Sequence, residues 1–304
     1  MNRRKFLQNI TFGSGAFLIS FNGQWVTKKK ANKLTILHTN DTHSNIDPFP
    51  SNHAKFPGMG GVSRRHALIQ KIRSEEENVL LLDCGDIFQG TPYFNMFGGE
   101  LEMKLMSEMG YDAATMGNHD FDIGLEGFKN AQQFANFPFL CSNYDFSKTT
   151  LNGLIQPYKI FKKAGIKIGV FGIGVELSGL VPKQNYGATL YLDPISTANE
   201  TAKELKRNGC DLIICLSHLG YDYSDGSKVS DIKLAQQTSN IDIILGGHTH
   251  TFLEKPTIVK NNKGESVLIN QVGYAGLYLG RIDIDIHKSI VKHKKIKVCI
   301  ELDG

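Results

Sequence analysis

Leu34-Thr35-Ile36-Leu37-His38-Thr39-Asn40-Asp41-Thr42-His43 joins two signals: an apolar, β-branched run, then a carboxylate and an imidazole two positions apart. The run reads as a buried strand, so Asp41 and His43 fall where a strand ends and a loop begins. The same coupling recurs along the chain. Val79–Leu82 leads to Gly85-Asp86, and Ala113–Met116 leads to Gly117-Asn118-His119-Asp120. Leu212–Leu216 leads to Ser217-His218, and Ile241–Leu245 to Gly246-Gly247-His248-Thr249-His250. Open α/β folds bind ligands in the crevice at the carboxyl ends of their strands. Carboxylates, an amide and several imidazoles gathered there repel one another or go unsatisfied without cations.

Asp41, His43, Asp86, Asn118, His218, His248 and His250, with His119 among the same segments, supply about seven N and O donors, enough for two divalent metals. Asp41 and His43, two apart in extended chain, should point to one side, as should His248 and His250. Asp86, at the Gly85 turn, can bridge two cations with its two oxygens, and Asn118 adds a neutral carbonyl oxygen. The donor set suits Zn, Mn, Fe or Ni, and the lack of thiolates argues against a structural zinc site. Two metals about 3.5–4 Å apart polarise a phosphoryl oxygen and lower the pKa of a bridging water toward neutrality. Any one of these segments is a weak signal. Their joint occurrence, each at a strand end, reads as a two-metal hydrolase.

Between the motifs, helices are expected at Val62–Arg73, Leu101–Met109, Leu125–Phe134, Ser196–Arg207 and Ile232–Gln237. Further strands are expected at Phe137–Ser142 and Ile166–Ile173, with a loop from there to about Leu192. The closing third reads as strands: Ser266–Val272, Tyr278–Asp285 and Ser289–Ile300. Repeated β-α units followed by strands make an α/β fold with a second sheet. There is no internal repeat and no Pro- or Ser-rich linker after residue 33.

The order D-x-H, G-D, G-N-H-[DE], H and G-H-x-H resembles that of the calcineurin-like metallophosphoesterases. Leu34–His43 and Tyr111–Asp122 resemble the two signatures of the bacterial 5′-nucleotidase family, and the resemblance covers residues 34 to about 285. It implies a four-layer αββα sandwich with two mixed β-sheets and a dinuclear site acting on nucleotides or related phosphate esters. One metal would be held by Asp41, His43, Asp86 and His250; the other by Asp86, Asn118, His218 and His248, with Asp86 bridging. The position of His250 is Gln in many 5′-nucleotidases, and that of Asp120 is usually Glu, a same-charge change expected to be harmless. The resemblance makes His119 the group that stabilises the transition state and protonates the leaving oxygen, with Asp122 orienting it. Asp122 can also be read as the N-cap of the following helix. Secreted members of the family carry a second domain that clamps the nucleoside base. This chain ends at Gly304, so a metal-bearing subunit served by a separate substrate-binding chain is a competing reading. A sulfur-ester hydrolase on the same fold is another.

The formal charge of +4 belongs to the N-terminus. Residues 1–33 hold seven of the 34 Lys and Arg and no acid, which leaves 27 basic against 30 acidic groups, or −3. Nucleic-acid binding has no support in that balance. Lys288, Lys292, Lys294, Lys295 and Lys297 read as a lysine-protected edge strand or as a phosphate or partner patch. The five cysteines, Cys84, Cys141, Cys210, Cys215 and Cys299, show no CxxC spacing and no disulfide framework. Cys84, beside Asp86, reads as a packing residue or as a neighbour of the metals.

Arg3-Arg4-Lys5-Phe6-Leu7 and the weakly apolar Ile10–Phe21 resemble a twin-arginine export signal, with a plain basic arm as the alternative. The apolar stretch is too short to span a bilayer, which needs about 20 residues. Residues 1–33 are therefore expected to be an export segment and 34–304 the catalytic domain. The twin-arginine machinery would be a transient partner. Location would be periplasmic or exported, and membrane-tethered if the segment is retained.

Overall fold

In the computed structural model, which describes residues 32–287, 290–295 and 300–301, the aliphatic runs alternate between two apolar layers. On β1 (Asn32–Thr39), Leu34 and Ile36 face one layer and Leu37 the other. Helices α1 (Val62–Glu75), α2 (Pro92–Phe97), α3 (Glu100–Met109) and α4 (Gly124–Gln132) intervene among β2 (Val79–Asp83), β3 (Ala113–Ala114) and β4 (Tyr144–Asp145). Next come β5 (Tyr158–Lys163), β6 (Ile166–Gly174), the short α5 (Lys183–Tyr186) and β7 (Leu190–Tyr191). Helix α6 (Pro194–Arg207), β8 (Leu212–His218), α7 (Asp231–Gln237) and β9 (Ile243–Leu245) follow. The remainder is β10 (Thr257–Lys260), β11 (Ser266–Asn270), β12 (Tyr278–His287), β13 (Ile290–Lys295) and β14 (Ile300–Glu301).

Two mixed sheets result. The first has the order β13-β12-β1-β2-β3, parallel through β1, β2 and β3 and antiparallel at β12, with β14 also on β12. The second has the order β10-β11-β9-β8-β6-β5, with a parallel centre and antiparallel edges. Leu34, Ile36, Leu80 and Leu82 of the first meet Ile168, Val170, Ile214 and Leu245 of the second. The other face of the first sheet packs Leu37 and Leu81 against Ile69, Met103 and Phe128 of its helices. Phe171, Ile213 and Ile244 of the second pack against Ala202 and Leu205 of α6 and Leu234 of α7. Helix, sheet, sheet, helix: the expected four layers are present. Strands covered on both faces must be apolar at every position, which is why these runs read as continuous.

Helix ends follow their sequence signals. Asp193 caps α6 by accepting from Ser196 N–H, with Pro194 in the first turn, and Ser230 caps α7 through Lys233 N–H. Gly110 closes α3 in the left-handed conformation.

Three expectations change. Phe137–Ser142 is not a strand: Pro138 has no N–H to give, and only single bridges form, at Phe139 with Ala114 and at Leu140 with Gln156. Ala113–Met116 shortens to Ala113–Ala114. The loop expected from Ile173 to Leu192 contains α5 and β7. β13, which carries Lys292, Lys294 and Lys295, ends the first sheet's strand order, as an edge strand should; Lys288, Lys297 and Cys299 lie outside the described residues. So do residues 1–31 and the export signal read there, whereas β1 already begins at Asn32. Among the described residues no helix is long and apolar enough to cross a membrane.

Candidate metal centre

The candidate donors gather at the carboxyl ends of strands: Asp41 and His43 after β1, Asp86 after β2, Asn118 after β3, His248 and His250 after β9. His218 is the last residue of β8. The loops after β1 and β2 are laced together by Asp41 N–H to Gly85 O (2.9 Å), His43 N–H to Asp86 O (3.0 Å) and Ser44 N–H to Ile87 O (2.8 Å). Donors separated by more than 200 residues thereby meet in two groups, Asp41 with His43 and His250, and Asp86 with His218 and His248.

The means of convergence differs from the expected one. Asp41 (φ 49°), His43 (φ 48°), Asp86 (φ 54°), His248 (φ 73°) and His250 (φ 53°) all have left-handed backbones, so they sit on tight turns and not in extended chain. That conformation is uncommon for residues with a Cβ, and clusters of it mark sites where geometry is held by the surroundings. Glycines leave room nearby. A Cβ on Gly117 would collide with Asp86 Oδ1, and one on Gly247 would crowd His218 Nδ1 at 2.9 Å and Asp41 Oδ2 at 3.0 Å.

Polar neighbours fix the orientation of the donors. His218 Nδ1 hydrogen-bonds Cys84 O at 2.6 Å and leaves Nε2 3.1 Å from Asp86 Oδ2. Cys84 therefore fills both of its expected roles, its side chain in the core between the sheets and its carbonyl on the imidazole. His43 Nδ1 faces Phe88 O and Gln89 O at 3.2 and 3.1 Å, and its Nε2 lies 3.0 Å from His250 Nε2. Backbone carbonyls on the far nitrogen are the usual way proteins set the tautomer of a metal-binding imidazole. Asp86 Oδ2 is also 3.8 Å from His43 Nε2, so this oxygen faces both groups.

Asn40 gives Nδ2–H to Asp41 Oδ2 (2.6 Å) and to Gly273 O (2.6 Å), and accepts from Val272 N–H (2.9 Å). Asp120 is fully buried and accepts four backbone N–H groups: Gly117 (2.8 Å), Ile87 (2.9 Å), Asp86 (3.0 Å) and Phe88 (3.3 Å). Asp231 accepts from Ser217 Oγ at 2.5 Å behind His218. None of these three was read from sequence as a support. Asn40 and Asp120 adjoin the motifs and could have been flagged there; Asp231 carries no local signal.

His119 stands apart from both groups, 42% exposed, with its ring edge-on to His43 at 5.3 Å. Its Nδ1 is 2.8 Å from Asp122 Oδ2, and its N–H donates to Asp86 Oδ1 at 2.8 Å. Asp122 does not cap the next helix: the N-cap position of α4 is Ile123, with no side-chain cap. The hydrogen bond that Asp122 accepts from the ring raises the pKa of His119 above the usual imidazole value, against its burial.

Charge and unmet hydrogen bonding both call for cations. Burial would lower His218, yet the Asp86 carboxylate, then Asp41, outweigh it and push the ring up to about 10. Burial also works to raise Asp86, but His218 and then His43 hold it below the usual carboxylate range. His248 falls to about 4, through burial and then His218. Asn118 Oδ1 is buried with no hydrogen-bond partner. Paired carboxylates, imidazole lone pairs and an unmatched amide oxygen fit divalent cations of intermediate hardness.

Residues 34–252 match the family model described as calcineurin-like phosphoesterase. The chain belongs to the calcineurin-like phosphoesterase family. Its relatives include a 5′-nucleotidase of Vibrio cholerae, 35% identical over 286 residues, which cover 86% of this chain and 50% of that protein. The crystal structure of a 5′-nucleotidase precursor from Thermus thermophilus superposes with a TM-score of 0.80 at 32% identity, over 88% of this chain and 54% of the other. The calcineurin-like phosphoesterase YfkN from Bacillus subtilis superposes with a TM-score of 0.71 at 27% identity, over 89% of this chain and 91% of that one. The chain spans about half the length of the 5′-nucleotidases it matches.

Proposed function

We propose that the protein is an exported dinuclear-metal phosphoesterase that hydrolyses nucleotides or related phosphate esters. The observation that carries this reading is the pairing of two donor groups with Asp86 Oδ2 facing both, 3.1 Å from His218 and 3.8 Å from His43. Asp41, His43, Asp86 and His250 would hold one cation; Asp86, Asn118, His218 and His248 the other. Divalent cations held there supply Lewis acidity, which polarises the phosphoryl group and makes a water nucleophilic near neutral pH. The chain's own groups do the rest. Asn40 and the Cys84 carbonyl keep donor atoms turned inward. His119, partly exposed and hydrogen-bonded to Asp122, donates to the departing ester oxygen. The 5′-nucleotidases among the relatives support a nucleotide as the ester.

The test is phosphate release from mono-, di- and cyclic-phosphate esters by metal-loaded protein, beside Asp86→Asn. Hydrolysis lost in the variant supports the proposal; metal-loaded protein inert on the whole panel removes it. Export rests on Arg3-Arg4, because the twin-arginine machinery reads the guanidinium pair and not charge alone. Replacing both with Lys should leave the protein in the cytoplasm, and normal export of that variant would remove this part.

A further inference from the structure

A bank of aromatic rings begins on the imidazole of His250 and leads away from the metal centre. Tyr274 stacks on His250 with centroids 5.1 Å apart and planes 14° from parallel. Phe252 meets Tyr274 edge-on at 6.0 Å, and Phe56 does so at 6.1 Å. Tyr278 closes on Phe252 from another side at 5.3 Å. Part of this bank is ordinary packing: Phe56, Ala275 and Leu277 are buried and form a satellite core that ties the loop before α1 to the segment before β12.

Phe252 does not fit that description. It is 39% exposed although it is only two residues past a candidate metal donor, and the His250 side chain is itself 40% exposed. The ring is also held. A Cβ on Gly273 would collide with three of its atoms, so the glycine lets the ring lie against the backbone. Gly273 N–H donates to Thr251 O at 2.9 Å, and Phe252 bridges Val272. An open apolar ring in a fixed pose, reached from the metal centre through one intervening tyrosine, suits a planar ligand group. It stacks without needing hydrogen bonds and loses little freedom on either side.

We propose that Phe252, backed by Tyr274 and Phe56, is a stacking platform for the planar part of the ester's alcohol: a nucleobase or another aromatic ring. This rests on the phosphoesterase reading above and adds to it a specificity element within the catalytic domain itself. With the phosphoryl group at the metals and His119 at the departing oxygen, the alcohol portion extends over the open side of the site. There the exposed edges of His250 and Phe252 offer aromatic surface.

Steady-state kinetics on a purine nucleoside monophosphate and on glycerol phosphate, for wild type, Phe252→Leu and Phe252→Tyr, test the proposal. Leu keeps an apolar plug and removes the ring; Tyr restores it. KM for the nucleotide should rise roughly tenfold in Phe252→Leu at unchanged kcat, in line with the usual worth of one base stacked on an aromatic. It should recover in Phe252→Tyr, and KM for glycerol phosphate should not move. Calorimetric binding of adenosine alone, weak in wild type and lost in Phe252→Leu, reads the platform without any turnover. Equal KM shifts for both esters, no shift for either, or adenosine binding that ignores the ring would overturn the platform and leave the phosphoesterase reading standing. Wild type inert on both esters while adenosine binding depends on Phe252 would sink the parent reading instead.

Discussion

Asp120 offers no donor to either group, yet its four backbone hydrogen bonds hold the turn that presents Asp86. An amide in its place keeps the size but turns N–H groups toward N–H groups, so part of the anchor becomes repulsive. Asp120→Asn should weaken metal binding by about 10- to 100-fold, the usual cost of losing a partner that orients a ligand. Competition with a chromophoric chelator measures this, and wild-type affinity in the variant would show that the anchor is dispensable. His119 is the opposite case under the proposed function, a group assigned to chemistry and not to binding. His119→Asn should retain both metals while turnover falls by roughly 10²–10⁴. The loss should shrink for nitrophenyl phosphate, whose oxygen leaves without help. Equal losses on good and poor leaving groups, or a missing metal, would contradict the acid role. Asp122→Asn should act in the same direction but less, since Asp122 touches only the imidazole.

At the level of elements, Asp242 ties β9 to β8: it accepts Ile213 N–H at 2.8 Å, and its own N–H donates to Ile213 O at 3.0 Å. Burial raises its carboxyl to about 6 although the Ile213 bond opposes the shift. A folded pKa above the unfolded value means that the native state holds the proton longer. Stability from this group is therefore full below about pH 4 and declines as pH rises through about 6. Asp242→Asn keeps an acceptor for Ile213 and removes the decline. It should match wild type near pH 4 and exceed it at pH 7.5 by at most about 2 kcal/mol in urea titrations. A constant difference across that range would refute the assignment.

Elements of this kind were legible from sequence in proportion to their burial. β2, β8 and β6 from Ile168 onward are covered on both faces and read as apolar runs. β5 and β10 are half-covered edge strands, and the lysines among their residues made them look like loop. That the candidate donors gather was legible, six of the seven falling in two groups, because chemistry restricts their types and strand ends restrict their places. Their left-handed turns were not, since nothing in D-x-H distinguishes an extended pair from a turned one. Nor was the Phe252 ring, whose partners arrive from two other segments, the loop holding Phe56 and the stretch from Tyr274 to Tyr278.

Taken as a whole, the molecule places its donors on both sides of a seam. Asp41, His43, Asp86 and Asn118 extend from the first sheet, and His218, His248 and His250 from the second. Bound cations would join the sheets at their carboxyl ends, and a ligand that binds only the native state adds its binding free energy to folding. Chelation should lower the melting temperature, by several degrees or more at saturating chelator. Asp41→Ala should lose one metal and part of that gain, whereas Asp86→Ala should lose both metals and all of it. A melting curve indifferent to chelator, or Asp86→Ala that still retains one metal tightly, would show that the seam closes without the shared carboxylate. The seam also has a clock. His248 trails Asp41 by 207 positions, which on a ribosome moving at roughly 5–20 residues per second is a delay of tens of seconds. Until His218 emerges, 177 of those positions after Asp41, the chain displays only Asp41, His43, Asp86 and Asn118 of the candidate donors. Whatever cation it meets first finds an incomplete, oxygen-rich half-site, and the nitrogen donors that distinguish one metal from another arrive last.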